Sequence, residues 1–178
     1  MIELDAIRQF YRTRRSKRSG VPLMNHIIEG LLVLDEIGAS DLAKRAYCLH
    51  PLVQDDATLE VNFEWLREFD PLVVALAMEY RSVANDYLSQ TPFRRVEEIR
   101  LSPLEEVNDM LRADKVQNYK DFLRHHLGSH PRSERINEYF QQWLDRLRIL
   151  PSRFQDFENL LAASASDPVE SLSPPSSG

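Results

Sequence analysis

The sequence predicts an all-α protein, and three observations carry this prediction. Apolar residues recur at three- and four-residue steps along most of the chain, which is the period of an α-helix. The alternation of apolar and polar residues that is typical of strands is not sustained over any convincing stretch. Capping residues and prolines stand where the helical spacing begins or ends. We therefore expect a compact bundle of packed helices.

The first three predicted helices occupy the N-terminal part of the chain. Residues 2–13 carry apolar side chains on one side of a helix. A break follows, and Pro22 is well placed to open a second helix over residues 22–37. This second helix is so rich in apolar residues that it is expected to be buried on most sides. A glycine then ends it, and a serine caps a third helix over residues 41–50.

Five further helices are predicted towards the C-terminus. They cover residues 59–69, 71–88, 103–128, 132–150 and 152–163. The second and third of these are separated by a loop over residues 90–101. From residue 164 the chain is mostly Ser, Pro and small residues without an apolar pattern, which predicts a disordered tail over 164–178. The folded part is thus expected to be one domain, residues 1–163.

Composition and charge argue against several classes of protein. The 178 residues carry a net charge of −6, which argues against binding to an extended nucleic acid. The single cysteine excludes an internal disulfide framework and a multi-cysteine zinc site. No apolar run approaches the length of a membrane span, and the acidic start Met1–Asp5 is unlike a secretory signal. We therefore expect a cytoplasmic protein that does not associate with membranes, and its oligomeric state stays open.

A short basic segment contrasts with the acidic character of the whole chain. Its six cations are Arg8, Arg12, Arg14, Arg15, Lys17 and Arg18, with no acidic residue between them. Such a local cluster suits a compact phosphorylated ligand better than a long polyanion. Two other interpretations stay open: a solvated arm, or an arm that docks on an acidic partner protein.

The predicted helix 103–128 contains an acidic residue where an apolar one is expected. One face of this helix carries Leu104, Val107, Leu111, Asp114, Asn118 and Phe122. A carboxylate on a face directed towards the core is costly unless a metal, a cation or several donors pair with it. Asp114 is therefore a candidate ligand, and the alternative is a structural carboxylate that caps a backbone or meets an arginine.

Two histidines in apolar surroundings are candidate partners of that carboxylate. His26 lies near the start of the second predicted helix, and His50 ends the third. Gly30, one turn after His26, would let another backbone or a ligand come close. Alone, each histidine is typical of a hydrogen-bonded core residue, but with Asp114 the two could bind a divalent metal. The other histidines fall at a polar helix end or in a turn: His125, His126 and His130.

A polar group also interrupts the otherwise apolar helix 71–88. It consists of Glu79, Arg81, Asn85 and Asp86. These side chains could reach the ribose or base of a ligand. They could equally form a solvated helix face with a Glu–Arg contact.

The order His26, His50, Asp114 on successive helices resembles the HD-type metal-dependent phosphohydrolases. The likeness is greatest to the hydrolase domain of RelA/SpoT proteins and their small single-domain metazoan relative. Residues 14–26 resemble the family's basic opening followed by a Gly-x-Pro-x-x-x-His run. Residues 113–118 resemble its Ala-Asp-Lys/Arg-Leu-x-Asn motif, and residues 138–140 have a counterpart in its last helix. The resemblance spans roughly residues 8–148 and implies an HD-domain-like helical bundle.

The resemblance implies metal-assisted hydrolysis of a small phosphorylated nucleotide. In the family a metal, usually manganese, activates a water that attacks the 3′-diphosphate of guanosine tetraphosphate or a comparable phosphoester. A divalent metal is thus expected here, with manganese favoured over zinc or iron. The implied ligands are His26, His50 and Asp114, and the implied substrate-binding residues are Arg14, Arg15, Lys17, Lys115 and Asn118.

The chain departs from the family at its defining motif. The family has Asp after the second histidine, whereas this chain has Pro51, which cannot bind a metal. Where the family has a catalytic Glu-Asp pair, this chain has Gln54-Asp55, and glutamine cannot act as a general base. One hypothesis is a rebuilt site in which Asp55 or Asp56 takes over, giving a nucleotide pyrophosphohydrolase with an altered metal site. The alternative is an inactive nucleotide-binding or regulatory module.

Overall fold

A computed structural model of the protein describes residues 1–17, 19–86, 95–129 and 131–166. Within these ranges the chain forms eight α-helices and no β-strand, so the all-α prediction is confirmed. The helices are α1 (Ile2–Tyr11), α2 (Leu23–Glu36), α3 (Asp41–Leu49), α4 (Asp56–Leu66), α5 (Pro71–Asp86), α6 (Glu105–His125), α7 (Ser133–Arg146) and α8 (Pro151–Ser166). Two single 3-10 turns, His50–Val53 and Val96–Glu98, precede α4 and α6.

The helix boundaries differ from the sequence-based ones where local turns decide them. Helix α1 ends at Tyr11 because the next residue, Arg12, adopts a positive φ of 48°. Helix α4 starts at Asp56, three residues before the predicted start, since the Asp55 side chain caps it. Helix α8 runs to Ser166, three residues into the predicted tail. The rest of that tail lies outside the described residues, as do Arg18, His130 and the predicted helix end at 87–88.

Helix α6 is the central element of the bundle. It packs against α2, α3, α5, α7 and α8, so it is buried on several faces rather than on one stripe. The apolar members of its predicted stripe include Val107 and Leu111, and both are fully buried. Its buried polar residues are Asn108, Asp114, Lys115, Gln117 and Lys120. Because each of them needs a partner away from water, this helix is where polar side chains are organised.

Helices α2 and α3 flank α6 and complete the surroundings of the candidate site. Helix α2 is buried at Ile27, Gly30, Val33 and Leu34, and its other apolar residues, except the exposed Ile28, pack partly buried against the core. Helix α3 packs against α1, α2, α5 and α6. Its Cys48 is part of the core, and burial raises the pKa of that thiol to about 12. Across the described ranges, none of the helices combines the length and apolarity needed to cross a membrane.

Candidate metal centre

Three side chains from separate elements meet at the centre of the bundle. His26 projects from the first turn of α2, His50 begins the 3-10 turn after α3, and Asp114 lies midway along α6. The Nε2 atoms of the two histidines are 3.2 Å apart, and His26 Nε2 is 3.5 Å from Asp114 Oδ1. One donor atom from each side chain lies within 4.8 Å of the other two. The structure thus brings together the three residues that the sequence proposed as metal ligands.

Gln117 determines which nitrogen of His26 carries the proton. The Gln117 amide nitrogen donates to Glu29 Oε2 at 3.0 Å and to Asp121 Oδ2 at 2.8 Å. Since both partners are carboxylates, the Gln117 oxygen has to face the other way, where it lies 2.6 Å from His26 Nδ1. His26 Nδ1–H therefore donates to Gln117. In the neutral ring, Nε2 is then left with a free lone pair directed at the cluster.

His50 is oriented in the same way by the backbone. Its Nδ1–H donates to the Tyr47 carbonyl oxygen at 2.6 Å, so Nε2 again carries the lone pair. Burial, with a smaller contribution from the neighbouring His26, lowers the pKa of His50 to about 3. At neutral pH the ring is consequently uncharged, and its Nε2 is available as a ligand atom.

The two Nε2 atoms, 3.2 Å apart, avoid lone-pair repulsion only when a proton or a metal ion lies between them. The Asp114 carboxylate beside them adds a third electron-pair donor. Two imidazole nitrogens and a carboxylate oxygen are a common donor set for divalent transition metals. Histidines that bind a metal through one ring nitrogen usually donate a hydrogen bond from the other, often to a carbonyl or amide oxygen. Nδ1 of both histidines does so here. The residues present therefore fit a divalent metal.

Asp114 is ionised despite being buried, with only 4% of its surface exposed. Burial alone would raise its pKa, but neighbouring positive charge, chiefly the Lys115 ammonium, outweighs this and lowers the pKa to about 2. Lys115 Nζ lies 2.9 Å from Oδ2, and the Asn118 amide donates to Oδ1 at 2.9 Å. Lys115 itself is 5% exposed and lies 5.0 Å from the Trp143 ring. The carboxylate thus has a charge partner even without a metal.

Tyr47 closes the cluster on one side. A Cβ atom at Gly30 would lie only 2.1 Å from the Tyr47 hydroxyl oxygen, so this glycine is required for the tyrosine to fit. The close approach that the sequence predicted at Gly30 is therefore made by a side chain, not by a backbone or a ligand. The hydroxyl lies 3.3 Å from the His26 carbonyl and 3.4 Å from His26 Nε2. Burial raises the pKa of Tyr47 well above its ordinary value, so it stays a neutral phenol.

A cavity of about 540 Å³ opens beside the cluster. His26, His50 and Asp114 line it, together with Lys115 and Asn118, both of which the sequence proposed as substrate-binding residues. Its aromatic lining comes mainly from the C-terminal half of α6 and from α7. Other lining residues are Ser16, Ser19, Gln54, Tyr80, Arg81, Asn85, Asp121, Phe122, His126, Ile136, Tyr139 and Phe140. The volume is sufficient for a small-molecule ligand.

The basic segment is positioned differently from its predicted role. Arg14, Arg15 and Lys17 were expected to bind substrate phosphates, yet none of them lines the cavity. The Arg14 guanidinium lies 4.3 Å from the centre of the Phe10 ring and donates to the Phe10 carbonyl. Arg15 donates to the Gly20 carbonyl at 2.8 Å, because the loop folds back on itself through a bridge between Arg15 and Pro22. Hence the loop contributes its serines to the cavity in place of its arginines.

The two residues of the predicted catalytic pair, Gln54 and Asp55, have different positions. Gln54 lines the cavity, but Asp55 does not. The Asp55 carboxylate is exposed and accepts a hydrogen bond from the Thr58 amide at 2.8 Å, as the N-cap of α4. The bonds from Thr58 lower its pKa. Asp56 pairs with Arg81. Neither carboxylate lines the cavity, so the described arrangement does not place Asp55 or Asp56 at the cluster.

Several functional neighbours were not predicted from the sequence. Gln117 orients His26, and Glu29, Lys120 and Asp121 in turn hold Gln117 in place. Their helical spacing was a usable signal, because Gln117 follows Asp114 by three residues and Glu29 follows His26 by three. Arg81 was noted in the polar group of helix 71–88, but its position at the cavity was left open.

Comparison with known proteins adds no assignment. No protein-family model matches the chain, and no match was found among curated proteins or among solved structures. The likeness to HD-type phosphohydrolases therefore stays a prediction that rests on the motifs quoted above.

Proposed function

We propose that this protein is a metal-dependent hydrolase of a small phosphorylated nucleotide, of the guanosine tetraphosphate 3′-pyrophosphohydrolase type, with an altered metal site. The observation that carries the proposal is the convergence of the His26 and His50 Nε2 atoms, 3.2 Å apart, on the ionised Asp114, with all three ligand atoms within 4.8 Å of one another. This donor set matches the one that divalent metals use in hydrolases.

His26, His50 and Asp114 would hold the metal, with manganese favoured over zinc or iron by the family resemblance. When bound, a divalent metal supplies positive charge to a phosphate and lowers the pKa of a bound water to about 7. His26 and His50 would each contribute an Nε2 nitrogen, and Asp114 would contribute the negative charge. Lys115 offsets part of that charge from the far side, since its ammonium contacts Oδ2 while His26 lies nearest Oδ1. The site consequently stays open to an anionic substrate.

The shape of the cavity supports a ligand with a flat ring. Phe122 lies eight residues after Asp114 on α6, a distance of about 12 Å along the helix at roughly 1.5 Å per residue. The Phe140 ring of α7 lies 5.8 Å from the Phe122 ring and lines the same cavity. An aromatic end and a charged end about 12 Å apart suit a nucleotide, whose base stacks on aromatic rings while its phosphates seek cations.

One observation favours the alternative, a nucleotide-binding or regulatory module without turnover. The cavity offers no free carboxylate to accept a proton. Of the two described aspartates that line it, Asp114 is held by Lys115 and Asn118, and Asp121 by Lys120 and Gln117. Asp55 caps α4 instead. In the alternative, the cluster retains a metal and a nucleotide but releases no product.

The experiment that separates the two is a nucleotide screen with two readouts. The full chain is loaded separately with manganese, zinc or iron and mixed with guanosine tetraphosphate and related nucleotides. Hydrolysis predicts phosphate or pyrophosphate release that is abolished in His26→Ala. The binding module predicts a rise in unfolding temperature with nucleotide but no product. If the protein shows neither product release nor a rise in unfolding temperature with any of the metals, both functions are overturned.

A further inference from the structure

Positive charge in the cavity is divided between two very different side chains. Among the described residues that line it, Lys115 and Arg81 carry fixed positive charges. Lys115 is buried against Asp114 and two aromatic rings, so its charge is already paired within the protein. Any further anionic group of a ligand therefore has to be met by Arg81.

The partner of Arg81 is easily displaced. The guanidinium belongs to α5, has 18% of its side chain exposed and pairs with Asp56. The Asp56 side chain is 97% exposed, so water solvates this carboxylate almost completely whether or not the pair is formed. An ion pair with a fully solvated carboxylate contributes little and is readily exchanged. A phosphate, by contrast, matches the planar fork of a guanidinium with two parallel hydrogen bonds.

Arg81 follows a residue of α5 that contacts the cluster. The preceding residue, Tyr80, packs its ring 5.1 Å from the ring of His50, and Tyr80 and Arg81 line the same cavity. One turn further on, Asn85 also lines it and donates to the Gln54 carbonyl at 3.3 Å. Arg81 thus lines the same cavity as the candidate metal ligands, beside a polar strip formed by Gln54 and Asn85.

We propose that Arg81 is a second phosphate-binding point that exchanges Asp56 for a ligand, so that the site selects diphosphates over monophosphates. One phosphate lies at the His26–His50–Asp114 cluster, and the adjacent phosphate binds the Arg81 guanidinium. Asp56 then acts as an internal competitor that occupies Arg81 when no ligand is present. This inference rests on the proposed function, because the first phosphate is held at the metal centre.

Calorimetric titration of the metal-loaded full chain with inorganic pyrophosphate and with inorganic phosphate tests the proposal. Arg81→Gln is expected to weaken pyrophosphate binding by about 10-fold or more, the loss typical of a charge-assisted hydrogen bond, and to change phosphate binding less. Asp56→Asn is expected to tighten pyrophosphate binding, because it removes the competitor. Arg67→Gln is the matched control, since Arg67 forms an exposed ion pair with Glu64 on α4 and does not line the cavity.

Equal pyrophosphate affinity in wild type and Arg81→Gln would overturn the inference, as would weaker binding in Asp56→Asn. Circular dichroism and the unfolding temperature of each variant establish that its fold is kept, and Arg81→Lys supplies a second variant with the charge retained. Elemental analysis of the same samples separates the two proposals. A wild type that takes up no metal overturns the proposed function and this inference together, whereas a metal-loaded protein indifferent to Arg81 overturns this inference alone.

Discussion

The His26–His50–Asp114 cluster and the turn that follows α3 adjoin each other, yet their carboxylates have opposite environments. In the cluster, Asp114 is buried and held by Lys115 and Asn118 close to two oriented imidazoles. In the turn, Pro51 follows His50, and the exposed Asp55 carboxylate caps the start of α4. One region is preorganised to hold a cation, while the other is organised to begin a helix.

This difference indicates that the two regions would affect metal binding and proton transfer separately. Each donor of the cluster is fixed by a second group, so the cluster can bind a metal without rearranging the backbone. The turn holds no carboxylate in position to accept a proton from water. We therefore expect substitutions in the cluster to act on metal affinity and stability, and substitutions in the turn to act on stability or turnover alone.

The largest loss of stability is expected from Asp114→Ala, which removes the carboxylate of the cluster. The change leaves the buried Lys115 ammonium without its carboxylate, and breaking a buried ion pair in this way costs about 3–5 kcal/mol. Denaturant-induced unfolding of the metal-free chain measures the loss. A loss below about 1 kcal/mol, as for an exposed ion pair, would contradict the described burial of this pair.

Removing the group that orients His26 should reduce metal affinity with less effect on the fold. Gln117→Leu deletes the acceptor of His26 Nδ1–H and is expected to weaken metal binding by about 10–100-fold, as is usual when such a partner is lost. Competition with a chelator of known affinity gives the constant. Gln155→Leu on the exposed side of α8 is the matched control. If the two variants bound metal equally well, Gln117 would have no role in orienting the ligand.

The pH dependence of stability tests whether His50 is neutral and buried. Burial lowers its pKa from 6.5 to about 3, so the unfolded chain binds a proton first as the pH falls. The free energy of unfolding of the metal-free chain should therefore decrease by about 2 kcal/mol from pH 7 to pH 5 through this group, and further towards pH 3. In His50→Gln this part of the dependence should vanish. Identical profiles for the two proteins would show that His50 titrates normally.

The smallest effect is expected in the turn. Asp55→Ala removes the cap of α4 and should cost about 1 kcal/mol of stability without changing metal content. Asp55→Ser retains a capping oxygen but no carboxylate, so it separates the cap from a role in proton transfer. If Asp55→Ser keeps its stability yet loses nucleotide hydrolysis, Asp55 acts in catalysis, and the contrast between the two regions fails.

The features that the sequence revealed depend on local periodicity. Three- and four-residue spacing was enough to predict the helices and to place Asp114 on a face directed towards the core. The cost of burying a carboxylate then pointed to a partner. The start of α4 was placed too late because the apolar pattern begins at Leu59, whereas the capping Asp55 precedes it. That local signal was present and was not used.

The features that the sequence did not reveal depend on contacts between distant segments. The tautomer of His26 follows from the orientation of Gln117, which is fixed partly by Glu29, 88 residues earlier in the chain. Arg14 and Arg15 carry the charge expected of a phosphate site, but the folding of their loop turns both towards backbone carbonyls. Whether a charged side chain enters a cavity is set by such tertiary geometry, which residue type alone does not determine.

The most direct test of the metal centre is elemental analysis of the tag-free chain after reconstitution with manganese, zinc or iron. The central prediction is close to one divalent metal per wild-type chain, little in His26→Ala, and an unchanged content in Asp55→Ala, which alters only the turn. No metal in the wild type, or the same content in His26→Ala as in the wild type, would contradict the assignment of His26, His50 and Asp114 as its ligands.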